Sequence, residues 1–469
     1  MPDSSAPNII FILIDDLGWR DLGCYGSTFY ETPNLDRLAE RGMLFTDAYA
    51  SCPVCSPTRA SVQTGRYPAR HGVTNFLKGR ARGRLCEPEY IDHMPLEDHT
   101  IAQALGDAGY QTWHVGKWHL GADEQYWPHN RGYDVNVAGC RMGMPSDGYF
   151  SPWNIPMLED GPEGEYLTDR LTDEAINLVE AAGDQPFFLN MCYYTVHVPI
   201  QGRTDHVERF REKAASLKLD QIDPFVEGEH FPCEHKRDKR LQRRQLQSDP
   251  EYAAMVWSMD ENIGRLLQAV EDAGQADNTA VFFTSDNGGL ATAEGAPTCN
   301  FPLHEGKGWM YEGGTREPLI VHWPGVTEPG SRCATPVTTP DFYPTMLEMA
   351  GADLIPEQHV DGVSLAPLLE GGELDREAIY WHYPHYGNQG GTPGSSVRSG
   401  DWKLIEFFEG GSQANPGHLE LYNLREDMSE TVNLAEQRPD IAEGMLRMLQ
   451  AWRAEIGADL PSPNPEWDG

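Results

Sequence analysis

A chain of 469 residues with 36 Lys and Arg against 72 Asp and Glu has a formal net charge of −36, a mean field that repels nucleic acid and anionic membranes and obliges any anionic substrate to meet a local cationic site. The length suffices for one large core and a smaller satellite, which excludes a single small module, and no apolar run approaches the roughly 18 residues of a membrane helix. Nine cysteines in so long a chain do not make a dense disulfide framework.

The opening MPDSSAP lacks a basic stretch, and the apolar run after it ends in two aspartates. No secretion signal is read there, so a cytoplasmic location is expected, or a periplasmic or secreted one if a leader has been removed. That apolar run, NIIFILIDD, predicts a strand buried on both faces with Asp15 and Asp16 at its carboxyl end. Next comes SCPVCSPTRASVQTGR, residues 51–66. Its C-x-x-C pair suggests zinc or redox chemistry. A zinc site needs a second closely spaced ligand pair, which the other cysteines do not supply, and a redox pair opens a helix directly. Here Ser56 reads as a helix N-cap, Pro57 as the first helical residue and Gly65 as the stop, which sets Cys55 at the positive end of a short helix.

Three times a helical period closes on Ala-Gly and gives way to extended sequence: IAQALGDAG before YQTWHVGKWH, EAINLVEAAG before DQPFFLNMCYYTVH, and IGRLLQAVEDAG before QADNTAVFFTSDNGG. This βα alternation predicts an open, mostly parallel sheet. The strands end in Asp15 and Asp16, in Lys117 and His119, near His197, and in Asp286 and Asn287. In such a sheet the carboxyl ends share one rim, where groups distant in sequence converge.

The basic run EHKRDKRLQRRQ, residues 234–245, reads as a solvated helical face, with an active-site rim as the other reading. A Gly-Gly break in DGVSLAPLLEGGELDREAIYW divides a catalytic domain, 1–372, from a smaller α+β domain, 373–469. Within the latter, SSVRSGDWKLIEFFEG and HLELYNL predict short antiparallel strands and RPDIAEGMLRMLQAWRAEIG a terminal amphipathic helix. The stretch 380–400, rich in His, Tyr, Asn and Gly, reads as a loop able to ring a sugar through His382, His385 and Arg398, or as a crossover between domains.

Cys55, Pro57 and Arg59 together resemble C-x-P-x-R, the motif of type I sulfatases, in which a separate maturation enzyme oxidises the cysteine to Cα-formylglycine. The resemblance covers nearly the whole chain, through PNIIFILIDDLGW, TGRYPARHG, VGKWHLG, VHVP, TSDNGG, GKGWMYEGGTREPLIVHWPG, VDGVSLAPLL and LYNLREDMSETVNLA in sulfatase order. It implies an alkaline-phosphatase-like α/β fold, with a mixed, mostly parallel central sheet flanked by helices and a C-terminal α+β domain. It also implies one Ca²⁺ held by Asp15, Asp16, Asp286 and Asn287, completed by an oxygen of the modified Cys55 or of the substrate. Oxygen donors without histidine suit a hard cation independently of any family. Related two-zinc phosphatases have a histidine where this chain has Asn287. Adjacent aspartates on a straight strand face opposite ways, so the strand must bend at Asp15 if both bind metal.

Family matching places Arg59, Lys117 and Lys307 as cationic contacts to formylglycine and sulfate. The implied mechanism starts from a hydrated formylglycine whose hydroxyl attacks sulfur with Asp286 as base. His197 with Lys307 protonates the leaving oxygen, and His119 takes the proton that releases sulfate. Cys52 is a bystander packing residue in this reading. The expected substrate is a sulfated saccharide, by similarity to bacterial carbohydrate sulfatases an exo-cleaved galactose or N-acetylgalactosamine sulfate, with neither nucleic acid nor membrane as partner. The rivals are a formylglycine-dependent phosphonate or phosphodiester hydrolase, a broad arylsulfatase, a non-catalytic Ca²⁺-dependent glycan-binding protein and a C-x-x-C redox protein. Oligomeric state is open.

Overall fold

The computed structural model describes residues 6–409 and 418–467. Residues 1–5, part of the segment read for a leader, and Gly410, at the end of one expected strand segment, lie outside the described residues.

Strand Asn8–Ile14 shows why the sheet sits at the centre. Ile10, Ile12 and Ile14 enter one hydrophobic core, Ile9, Phe11 and Leu13 enter another, and all six are at most 1% exposed. Successive side chains of a strand point to opposite faces, so a run apolar at every position requires cover on both. Each such burial stabilises by about 2 kcal/mol, enough to offset the ~1–2 kcal/mol of ordering that residue's backbone.

In spatial order the central sheet runs Ser331–Cys333, Met43–Tyr49, Arg316–His322, Thr279–Ser285, Asn8–Ile14, Phe187–Cys192, Gln111–Gly116 and Val135–Val137, with Val337–Thr338 also paired to Met43–Tyr49. The pairings are parallel except those of Arg316–His322, which runs against both neighbours. Helices Pro33–Arg41, Leu167–Ala181 and Pro250–Asp272 cover one face through residues such as Leu35, Leu171 and Val256. Cys55–Thr64, Ile101–Asp107 and Phe342–Met349 cover the other through Val62, Leu105 and Met346. The mixed, mostly parallel sheet between helices is the expected architecture.

The C-terminal part forms an antiparallel sheet of Ile379–Tyr383, Gly394–Ser399, Trp402–Phe407 and His418–Asn423 in sequence order. The terminal helix Pro439–Ile456 packs on it through Met445 and Leu449. A buried charge network ties it to the rest: Lys403 Nζ lies 2.8 Å from Glu312 Oε1 and 3.0 Å from Glu430 Oε1, and Arg316 Nε lies 2.6 Å from Glu312 Oε2.

Three local expectations change. The stretch 380–400 is not a single loop, because Ile379–Tyr383 and Gly394–Ser399 are paired strands whose aromatic and histidine side chains fill the interior of the small domain. The basic run 234–245 is not a helix. It holds a short 3-10 turn, Glu234–Lys236, and the strand Arg240–Arg244, which pairs with Phe225–His230. Leu241 is the apolar residue of that strand and is fully buried, while Arg240 and Gln242 beside it face outward, which is strand alternation. Finally, the helix after Cys52 begins at Cys55 with Val54 as its N-cap, so Ser56 is not the cap. Gly65 does end it, in a left-handed conformation with φ of 67°.

Candidate active site

Strand ends of the parallel sheet bring the acidic groups together. Past Ile14 the chain turns through Asp16, whose φ of 63° lies in the left-handed region, a costly conformation for a residue with a Cβ. This supplies the expected bend, one residue later than expected, and lets Asp15 and Asp16 serve one site. The Asp16 backbone N–H donates to Asp286 Oδ1 at 3.2 Å, across 270 residues of sequence. Asn287 Nδ2 donates to Asp16 Oδ1 at 2.8 Å. Gly288 follows because a Cβ there would sit 1.8 Å from Gly313 O.

Asp15, Asp16, Asp286 and Asn287 are all at most 1% exposed. Buried carboxylates at this density require cations, and three supply them. Lys117 Nζ lies 2.7 Å from Asp15 Oδ2, Lys307 Nζ lies 2.7 Å from Asp16 Oδ2, and Arg59 donates from Nε to Asp286 Oδ2 at 2.8 Å. Burial pushes the Asp15 carboxyl well above its ordinary range, outweighing Lys117. Burial would also raise Asp16, but Lys307 and His197 hold it well below. Asp15 Oδ1 and Asn287 Oδ1 are buried without hydrogen-bond partners. These two leftover oxygens, in a cluster of three carboxylates and one amide, fit a hard divalent cation such as Ca²⁺. His197 also offers a ring nitrogen in a group with Asp15 and Asp16 whose atoms all lie within 4.8 Å of one another.

Cys55 stands at the first turn of a helix that is buried along all ten residues. Its Sγ is 3.4 Å from His119 Nδ1, and Ser56 Oγ is 3.2 Å from the same nitrogen. His119, like Asp16, is left-handed, with φ of 58°. Burial, reinforced by Lys117 and Arg59, keeps its imidazole neutral. Burial also raises the Cys55 thiol above its ordinary value despite Lys117 and Lys307, which disfavours a resident thiolate. His197 presents Nδ1 to Val198 O at 2.9 Å and Nε2 to Lys307 Nζ at 3.2 Å. Since a carbonyl only accepts, Nδ1 carries the proton and the Nε2 lone pair faces the ammonium. Burial and Lys307 push His197 down to about 3.

The rim thus gathers Asp15, Asp16, Cys55, Arg59, Lys117, His119, His197, Asp286, Asn287 and Lys307 in one place. The residues singled out for sugar contact are elsewhere and already engaged. His382 meets Ser395 Oγ at 2.6 Å and Asp459 O at 2.8 Å. His385 meets Thr74 Oγ1 at 2.8 Å and Glu87 Oε2 at 2.6 Å, and Arg398 pairs with Asp47 and bonds Tyr49 Oη. All three are buried, so none presents a free polar edge to a ligand. Cys52 and Cys55 are both free thiols, as are the other seven cysteines.

Two residues at the site escaped sequence reasoning. Ser56 shares His119 with Cys55 and accepts from the Leu77 backbone N–H at 3.4 Å. Glu317 is 1% exposed with both carboxylate oxygens unpartnered, and burial together with Asp286 and Asp16 raises it well above its ordinary range. Its signal was a charge inside the strand sequence REPLIVH.

Comparison with known proteins adds the following. A family model described as "Sulfatase" matches residues 7–352, and one described as "N-sulphoglucosamine sulphohydrolase, C-terminal" matches residues 304–455. A "Sulfatase" of Formosa agariphila is 34% identical over 96% of this chain and 89% of its own. The N-acetylgalactosamine-6-sulfatase of Homo sapiens is 34% identical over 80% of this chain and 68% of its own. The crystal structure of Ps i-CgsB, 30% identical, superimposes with a TM-score of 0.75 over 98% of this chain and 94% of that one. The same protein is also known in complex with k-i-k-neocarrahexaose.

Proposed function

The chain belongs to the sulfatase family and is a sulfuric ester hydrolase, and from that premise we propose that it desulfates a carbohydrate, with Cys55 as the precursor of Cα-formylglycine and one Ca²⁺ as cofactor. The observation that carries this reading is the meeting of Cys55 and neutral His119 with a buried oxygen cluster that has two orphaned oxygens. The glycan substrates named for relatives, N-acetylgalactosamine-6-sulfatase and the neocarrahexaose complex, support a galactose or N-acetylgalactosamine sulfate.

Asp15, Asp16, Asp286 and Asn287 would hold the ion, which supplies positive charge where the ester oxygens gather negative charge. A hydrated formylglycine at position 55 supplies an oxygen nucleophile and an aldehyde that can be restored. The side chains around it do the rest. Arg59 fixes Asp286 through its guanidinium and bonds Lys117 O at 3.0 Å, so base and cationic wall are held as one unit. Burial would lower the Lys307 ammonium, but Asp16 raises it above its ordinary value. The proton for the leaving oxygen therefore resides on Lys307 Nζ, with His197 Nε2 beside it to relay and orient. His119 Nδ1, neutral and within reach of the residue 55 side chain, accepts the proton whose removal frees the product. Burial of the whole set excludes bulk water and strengthens each charge contact.

The test pairs mass spectrometry of the peptide containing residue 55 with initial rates on matched sulfate and phosphonate esters of one sugar. An aldehyde or its hydrate at position 55, with sulfate hydrolysed faster, is the expected result. Unmodified cysteine in an active preparation, or a phosphonate preference, would overturn the reading.

A further inference from the structure

The hairpin of Phe225–His230 and Arg240–Arg244 leans toward the segment 292–296, and a cleft lies between them. Its walls carry three cations, Lys236, Lys239 and Arg240, beside the rings of Phe225 and Phe231, with Glu294 the one carboxylate. In a chain with net charge −36, such a concentration of positive charge needs a reason. Two of the cations have internal partners: Lys236 Nζ bonds Asn388 O at 2.9 Å, and Arg240 Nε lies 3.1 Å from Glu227 Oε1. Lys239 is exposed, and its ammonium has no hydrogen bond or ion pair among the described residues.

Glu294 on the wall of the cleft connects it to the candidate active site, and the hairpin reaches the same segment from its other face. Arg243 of the hairpin pairs with Glu305 at 2.7 Å, two residues before Lys307, and the charge of Glu294 acts on the Lys307 ammonium. Gln389 Nε2 lies 3.4 Å from Glu294 Oε2, and Gln389 also packs against Gly308. A bare ammonium and a guanidinium recognise a sulfate, while aromatic and alanine surfaces suit the face of a pyranose. The chemistry of the two walls is that of a sulfated sugar.

We propose that this cleft is a second anionic subsite, holding a sulfate on a neighbouring unit of a polysulfated glycan whose reacting sulfate lies at Cys55. This rests on the carbohydrate sulfatase reading and narrows it to chains bearing more than one sulfate.

The experiment uses the full-length Cys55→Ala protein, so that nothing is consumed, titrated by calorimetry with a chondroitin sulfate hexasaccharide and with its sulfated monosaccharide. Adding Lys239→Glu should weaken the hexasaccharide about fivefold more than the monosaccharide, with the difference shrinking as salt rises. Equal weakening of both ligands, no change in either, or no hexasaccharide binding before the Lys239 change would each overturn the subsite. Failure of the carbohydrate sulfatase reading shows separately, as turnover of aryl sulfates but of no sulfated saccharide by the unsubstituted protein.

Discussion

Cys55 and Cys52 share a motif spacing but not an environment. Cys55 faces His119, Lys117 and Lys307, whereas Cys52 is 1% exposed in the core between the two sheets. Replacing Cys55 by Ala should remove turnover altogether, while Cys52→Ser should leave the rate within about threefold and cost ~1–3 kcal/mol of stability from burying a hydroxyl. Steady-state kinetics and denaturant melts on both variants check this, and equal, large losses of rate would restore the paired-thiol reading. The oxygen cluster makes a second residue-level claim. Calcium should raise the melting temperature of the native protein by mass action, and Asn287→Ala, which deletes an orphaned buried oxygen, should need about tenfold more calcium for half that shift. An identical calcium titration for the two proteins would exclude Asn287 as a ligand.

Elements decide how these groups are presented. Helix Pro250–Asp272 reaches across to the start of helix Pro33–Arg41, where Asp260 accepts from the Asn34 and Leu35 backbone N–H groups and from Asn34 Nδ2. Burial outweighs those bonds and pushes its carboxyl up to about 6 from an ordinary 3.8. A carboxyl whose folded pKa is raised contributes stability that is fully present below the unfolded value and lost as pH climbs through the folded one. Between about pH 4 and 6 the native protein should therefore lose roughly 2–3 kcal/mol through this group. Asp260→Asn should remove that part of the slope in urea unfolding followed across the same range. An unaltered pH profile would mean that Asp260 is ionised throughout.

At the scale of the whole molecule, the seam between the two sheets rests on Lys403. It is fully buried between Glu312 and Glu430, while Arg316 and Arg398 gather at Tyr49 and Asp47. Removing one partner from a buried set leaves an uncompensated charge, so Lys403→Met should cost about 3–5 kcal/mol. The loss should appear as a lower urea midpoint. A midpoint within experimental error of the native one would show that the seam relaxes around the change. The same seam explains why Arg398 is spent internally on Asp47 and Tyr49, whereas His382, on the paired strand, is spent away from the seam on Ser395 and Asp459.

Much of the rim was legible in the sequence because an apolar run that stops at a polar pair marks a strand end, and the ends of parallel strands share one edge. Asp15 with Asp16 and Asp286 with Asn287 were found that way, and the order of motifs around Cys55 added the rest. The segment 380–400 misled because histidine and tyrosine suit a sugar-binding loop and a buried strand equally well. The basic run 234–245 misled because charges every three or four residues also satisfy a strand once one apolar residue, Leu241, finds a core. What the sequence by itself determined was the kind of chemistry at each strand end, since residue type and local period are properties of a few adjacent positions. Only the tertiary structure decided that Asp16 turns left-handed onto Asp286, that Lys307 Nζ stands against His197 Nε2, and that Lys239 alone of its cleft's cations has no partner among the described residues. Direction, burial and pairing are set by contacts between segments that meet only when the chain is folded.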